Sequence, residues 1–209
     1  MRIAIMLFDR FTALDAVGPY EVLSRLPGAE TVLVAERPGP VRADTGALGL
    51  VADASLAEVG AADVVLVPGG PGQEALMGPG PVHEWLREVD AGGSWTVSVC
   101  TGSLLLAAAG LLEGRRATTH WAAMGQLAEH GAVPVRERVV EDGKYVSAAG
   151  VSAGIDMALG LAGRIGGDLF AQAVQLGIEY DPRPPYSAGS PDSAPPEVVA
   201  ALMGGALLR

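Results

Sequence analysis

The chain has 209 residues and a single cysteine, so it cannot form a disulfide within itself. Only three histidines accompany that cysteine, with neither H-x-x-H nor C-x-x-C spacing, and no structural zinc or other metal is expected. Aromatic residues are scarce at 5%, and much of the 49% apolar content is small-residue bias in a chain rich in Ala and Gly. No apolar run approaches the ~20 residues that a bilayer span requires. The opening stretch Met1-Arg2-Ile3-Ala4-Ile5-Met6-Leu7-Phe8 meets Asp9 too soon for a signal-peptide core. Without an export signal or paired cysteines, a cytoplasmic protein is expected. Basic residues are also few: 14 Lys and Arg face 24 Asp and Glu, a formal net charge of −10. That balance argues against nucleic acid and anionic membranes as partners and disfavours polyanionic substrates. A neutral small molecule is the expected partner, with no cofactor.

What is present is an alternation of strand-like and helix-like segments. Residues 2–8, 31–35, 63–67 and 95–99 are short, continuous apolar runs, while 15–25, 82–90, 101–112, 153–164 and 168–178 read as helices. Apolar strands separated by helices predict a mostly parallel sheet covered on both faces. Residues 135–141 and 144–148 flank Asp142-Gly143, a two-residue hairpin signal that adds a small antiparallel ribbon. The tail turns Pro-rich, through Asp181-Pro182-Arg183-Pro184-Pro185-Tyr186 and Pro195-Pro196, before a last short helix. With no internal repeats or charge blocks, the expectation is one α/β domain over residues 1–209.

The cysteine stands where a strand meets a helix. In Trp95-Thr96-Val97-Ser98-Val99-Cys100-Thr101-Gly102-Ser103-Leu104-Leu105-Leu106, β-branched residues precede Cys100 and strong helix formers follow it. Small residues sit two positions away on either side, Ser98 and Gly102, as in the strand-to-helix elbow that presents a hydrolase nucleophile. A thiol at a helix N-terminus is expected to favour the thiolate. The local pattern also fits a buried structural Cys serving as a small hydrophobe.

Ligands of open parallel sheets bind beyond the carboxyl ends of the strands. Three such loops carry candidates here. Asp15 follows the first strand and opens a helix, where it is either an acid of the site or an N-cap. Gly69-Gly70, after the third strand, lets backbone N–H groups approach a ligand or simply makes a tight turn. Thr101 follows the cysteine, and its N–H is expected to be a free donor. His120 in Ala117-Thr118-Thr119-His120-Trp121 reads as a strand-end residue, and His83 and His130 as solvated helix-face residues. Asp156, after Gly150-Val151-Ser152, is expected to stabilise the dipole of its own helix.

These residues resemble the DJ-1/PfpI superfamily, through Pro68-Gly69-Gly70, the Cys100 elbow, Thr118-Thr119-His120 and an acid on the first helix. Several stretches are similar, more narrowly, to its isonitrile hydratases: Leu14-Asp15-Ala16-Val17-Gly18-Pro19, Ser98-Val99-Cys100-Thr101-Gly102-Ser103-Leu104, Gly154-Ile155-Asp156 and Ala188-Gly189-Ser190-Pro191-Asp192. Superfamily peptidases carry His directly after the nucleophile, where this chain has Thr101. Related regulators add a DNA-binding domain, which is not expected in a chain that ends at Arg209. The resemblance implies a flavodoxin-like, glutamine-amidotransferase-like sheet sandwiched by helices. It also implies a homodimer, with the Pro-rich tail framing the partner's pocket. The implied catalytic residues are Cys100, Asp15 and Thr101, with Gly69, Gly70, Gly150 and His120 binding substrate or an oxyanion. The implied reaction is hydration of an isonitrile through a Cys100 thioimidate, with Asp15 as general acid and base. A redox sensor built on Cys100, or an enzyme acting on another small carbonyl or amide, are the alternatives.

Overall fold

Ile3, Ala4, Ile5 and Met6 are almost fully buried and form most of β1 (Arg2–Met6) in the computed structural model of the chain, which describes residues 1–204. From β1 the chain passes through α1 (Ala13–Leu23) to β2 (Glu30–Ala35). A separate antiparallel ribbon of β3 (Gly39–Arg42) and β4 (Gly49–Ala52) precedes the short β5 (Ala54–Ser55). The wholly buried β6 (Val64–Val67) leads through α2 (Pro81–Gly92) to β7 (Trp95–Val99) and α3 (Gly102–Ala108). Two-residue strands, β8 (Arg116–Ala117) and β9 (Val133–Pro134), pair on either side of α4 (Met124–Glu129) in sequence. The hairpin of β10 (Val139–Asp142) and β11 (Tyr145–Ala148) is followed by α5 (Ala153–Gly166) and α6 (Asp168–Gly177).

The main sheet runs β10-β11-β7-β6-β1-β2-β5, parallel throughout except for β10. The continuous apolar runs thus lie where a parallel sheet buries both faces. The expected hairpin is present, and its second strand pairs in parallel with β7, so the hairpin extends the sheet. Helix α1 packs on α5, and α2 on α3. No helix among the described residues is long and apolar enough to cross a membrane.

Several expected element limits shift: the strand read over 2–8 ends at Met6, and the hairpin strand read over 135–141 begins at Val139. The helix read over 101–112 ends at Ala108, ahead of Gly110 at φ +82°, a conformation open to glycine that ends the turn. The helix read from residue 15 begins at Ala13, with Thr12 as its N-cap. His83 is a correction: it is 2% exposed, with Nε2 2.8 Å from the Leu76 carbonyl oxygen, and so is no solvated face residue. Asp156 lies in the first turn of α5, as expected, and also pairs with Arg138.

A buried polar bolt ties α2 to two strands. Asp90 accepts hydrogen bonds from Thr96 Oγ1 at 2.6 Å and Tyr145 OH at 3.0 Å, and pairs with Lys144 Nζ at 3.2 Å. Residues 1–178 form one compact unit, and a second begins at Glu179. Within the second, the Pro-rich run leads into α7 (Pro196–Met203), none of whose residues is buried.

Candidate active site

The chain turns sharply at the end of β7, and Cys100 adopts φ +57°, a left-handed conformation that costs a non-glycine residue energy. Four hydrogen bonds fix it there. Its N–H donates to the carbonyls of Ala148 (3.1 Å) and Ala149 (2.8 Å). Its carbonyl accepts from Thr119 Oγ1 (2.9 Å) and Ser103 Oγ (3.1 Å). The requirement for small neighbours is equally concrete. A Cβ on Gly102 would lie 2.1 Å from the Val67 carbonyl oxygen, and one on Gly69 would lie 2.5 Å from the Thr101 nitrogen. The exits of β6 and β7 therefore pack backbone against backbone, with Cys100 between them and 6% exposed.

Asp15 enters this junction from the third position of α1. Thr12 holds the N-cap position, and Asp15 Oδ2 instead accepts from Gly69 N–H at 2.9 Å, across 54 residues of sequence. The N-cap reading of Asp15 is thereby excluded. The residue is fully buried, and its Oδ1 has no hydrogen-bond partner of regular geometry. A buried carboxyl oxygen left unsatisfied costs energy unless the carboxyl is protonated or meets a ligand.

The two groups set each other's protonation. Burial pushes the Asp15 carboxyl from 3.8 up to about 7, against the pull of the Gly69 N–H and the nearby Cys100 thiol. The thiol is pushed up to about 12, first by burial and then by the negative charge of Asp15. The Thr101 and Val151 N–H groups and the Thr101 hydroxyl pull it the other way. The expected thiolate is thus reversed, because desolvation outweighs the few N–H dipoles at the helix start. The resting pair carries its protons on the thiol and, below about pH 7, on the carboxyl as well.

The glycines also differ from expectation. Gly69 N–H is taken by Asp15 and Gly70 N–H by Thr101 Oγ1 at 3.0 Å, so both position side chains of the site and neither is a free ligand donor. With its oxygen accepting from Gly70, the Thr101 hydroxyl turns its own proton toward the sulfur. His120 is half-buried, and burial pushes its imidazole below 6.5, so the ring is neutral at pH 7. Its Nδ1 accepts the Ala122 N–H at 3.4 Å, which leaves the proton on Nε2. The ring lies over Gly150, where a Cβ would stand 3.0 Å from His120 Cδ2. Val151, Thr119 and Ser103 were not singled out from sequence. Thr119 had a signal in its motif, but Val151 acts through its backbone and had none. A cavity of about 710 Å³ lies beyond β1 and β2, lined by Phe8, Arg10, Arg37, Val41 and Leu76, with neither Cys100 nor Asp15 in its wall.

The sequence profile of the DJ-1/PfpI family matches residues 1–163. The chain belongs to the DJ-1/PfpI family. It is 45% identical to isonitrile hydratase of Pseudomonas putida over 199 residues, 95% of this chain and 87% of that protein. Among solved structures it is similar to a THiJ/PfpI family protein from Pseudomonas syringae, with 36% identity and a TM-score of 0.94 over 97% of this chain and 84% of that one. Drosophila melanogaster DJ-1beta, at 24% identity and a TM-score of 0.78 over 85% of this chain and 97% of that one, shares the fold. The parallel sheet and the elbow at Cys100 are thus built on a DJ-1/PfpI framework, as the resemblance in sequence implied.

Proposed function

We propose that this chain adds water to an isonitrile, R–N≡C, to give the N-substituted formamide. The observation that carries the reading is the Cys100–Asp15 pair: a fully buried acid whose Oδ1 has no partner of regular geometry, pushed up to about 7 by burial beside a buried thiol. Among the described residues no ion pair reaches Asp15, which suits a neutral substrate and product. The likeness to the Pseudomonas putida isonitrile hydratase supports the same reaction.

Above about pH 7 the pair holds a single proton. As the Cys100 sulfur bonds to the terminal carbon, that proton passes through Asp15 to the same carbon, giving the thioimidate R–N=CH–S–Cys100. Asp15 is left ionised. Water, oriented by the Thr101 hydroxyl, then adds its oxygen to this carbon, and its proton travels through Asp15 to nitrogen. The adduct R–NH–CH(OH)–S–Cys100 collapses with cleavage of the C–S bond. Its hydroxyl proton returns to the pair, and R–NH–CHO leaves. The N–H groups of Thr101 and Val151, already aimed at the sulfur, stabilise it as a leaving group.

The test is to mix purified protein with cyclohexyl isocyanide and follow formamide by NMR, with Cys100→Ala in parallel. Turnover that vanishes in the variant is expected; no turnover by protein with intact Cys100 overturns the reading. Assembly as a homodimer belongs to the same proposal, and a monomeric mass by light scattering would remove that part of it.

A further inference from the structure

The ribbon of β3 and β4 has no part in the main sheet, yet its connecting loop is fastened to the start of α1. Arg10 N–H donates to the Arg42 carbonyl at 2.8 Å, Phe11 bridges to Ala43, and Asp44 N–H donates to the Phe11 carbonyl at 2.9 Å. The next link is between side chains: Thr12 Oγ1 donates to Asp44 Oδ2 at 2.8 Å, while Asp44 Oδ1 accepts from Thr45 N–H at 2.8 Å. Thr12 is also the hinge of the catalytic turn. Its N–H donates to the Gly69 carbonyl at 2.8 Å, and its carbonyl accepts from Asp15 N–H at 3.0 Å. Gly69 in turn holds Asp15 Oδ2. Thr12 thus touches the ribbon, the glycine turn and the acid's own backbone.

We propose that Asp44 is a positioning residue for the Cys100–Asp15 pair: through Thr12 it locks the start of α1 onto the Gly69 turn and brings a second carboxylate, in no ion pair among the described residues, to the residue that caps the helix of the catalytic acid. The inference rests on the function proposed above, since it concerns the same pair. Neither Asp15 nor Asp44 enters an ion pair among the described residues. The Arg42 guanidinium donates to the Ala47 carbonyl at 3.2 Å. Arg10 and Asp9, on the preceding loop, are exposed. Helix α5 presents Ile155, without charge, to Gly18 of α1. The groups that act on the Asp15 carboxyl are therefore the Gly69 N–H, the Cys100 thiol and Asp44. Of these, Asp44 alone adds to burial in disfavouring the charged form. The ribbon so gains a role in the chemistry without supplying a residue that touches substrate.

The experiment follows alkylation of Cys100 by iodoacetamide across pH, read by intact mass, because ionisation of the pair governs sulfur reactivity whether or not isonitriles are substrates. Wild-type protein is expected to show an inflection near pH 7, where Asp15 titrates. Asp44→Asn keeps an acceptor for Thr12 and removes the charge, and should lower that midpoint by about 0.5 pH, the order expected of a partly screened like charge. The acid limb of kcat/KM should move with it. A folded Asp44→Asn protein with the wild-type midpoint overturns the proposal. Should that variant fail to fold, Thr12→Val decides. It frees the Asp44 carboxylate toward solvent, and a smaller drop supports the proposal while an unchanged midpoint overturns it. A shifted midpoint without formamide formation by any form retains the role of Asp44 and rejects isonitrile hydration.

Discussion

Asp90 and Asp15 are both carboxylates buried beside strands of one sheet, yet their surroundings are opposite. Asp90 is met by two hydroxyls and an ammonium, and both its oxygens are occupied. Asp15 receives one backbone N–H, and its Oδ1 has no partner of regular geometry, with the Cys100 thiol beside the carboxyl. The first arrangement spends every hydrogen-bonding capacity on holding α2, β7 and β11 together. The second leaves capacity unspent, which lowers stability and leaves an acid able to exchange a proton near neutrality. The comparison teaches that burial alone does not set these two acids apart; the completeness of their hydrogen bonds does.

The sharpest way to break the comparison is through turnover. Asp15→Asn, which keeps an acceptor for Gly69, should fold and lose about 10³-fold in kcat/KM toward cyclohexyl isocyanide, within the range for a proton-transferring group. A fully active Asn variant would remove the acid from the mechanism. Next in size is the structural acid. Asp90→Ala leaves Thr96, Tyr145 and Lys144 without their shared partner and should cost about 3 kcal/mol by denaturant unfolding, with turnover kept in whatever fraction is folded.

A third prediction turns on pH. The Asp15 carboxyl is raised in the folded state from 3.8 to about 7, so its contribution is fully present below pH 3.8 and is lost as pH rises through about 7. Asp15→Asn escapes that loss. It should gain about 2 kcal/mol over the wild type at pH 8.5 and almost nothing at pH 4, as read by thermal melts at both pH values. Equal melting differences at the two pH values would show that Asp15 is not charged at a cost. The smallest effect belongs to the elbow. Ser103→Ala removes one of two donors to the Cys100 carbonyl and should cost about 1 kcal/mol, because Thr119 still holds it.

Much of this was legible in the chain. The β-branched run before Cys100 and the small residues at 98 and 102 located the elbow, and Asp142-Gly143 located the hairpin. What could not be read depends on distance in space. The sign of the Cys100 shift follows from burial and from Asp15, neither of which a strand-to-helix pattern reports. At Gly69 and Gly70 the expected approach was that of a ligand to backbone N–H groups, or simply a tight turn. The approach is made by Asp15 and Thr101, a pairing visible only once two loops meet. The β3–β4 ribbon was missed because Pro38-Gly39-Pro40 reads as a turn and Leu48 and Val51, near its far strand, are exposed. His83 was misjudged because its partner is a backbone carbonyl supplied by another loop.

The position of β11 beside β7 also orders events in time. The backbone that accepts the Cys100 N–H comes from Ala148 and Ala149, at the end of a strand that is synthesised after the cysteine. Until that strand is laid down, β7 is an open edge and Cys100 lacks the two carbonyls that accept its N–H, leaving only the Thr119 and Ser103 hydroxyls to hold its carbonyl. A chain that stops short of β11 therefore carries the thiol without half of the hydrogen bonds that fix its left-handed turn.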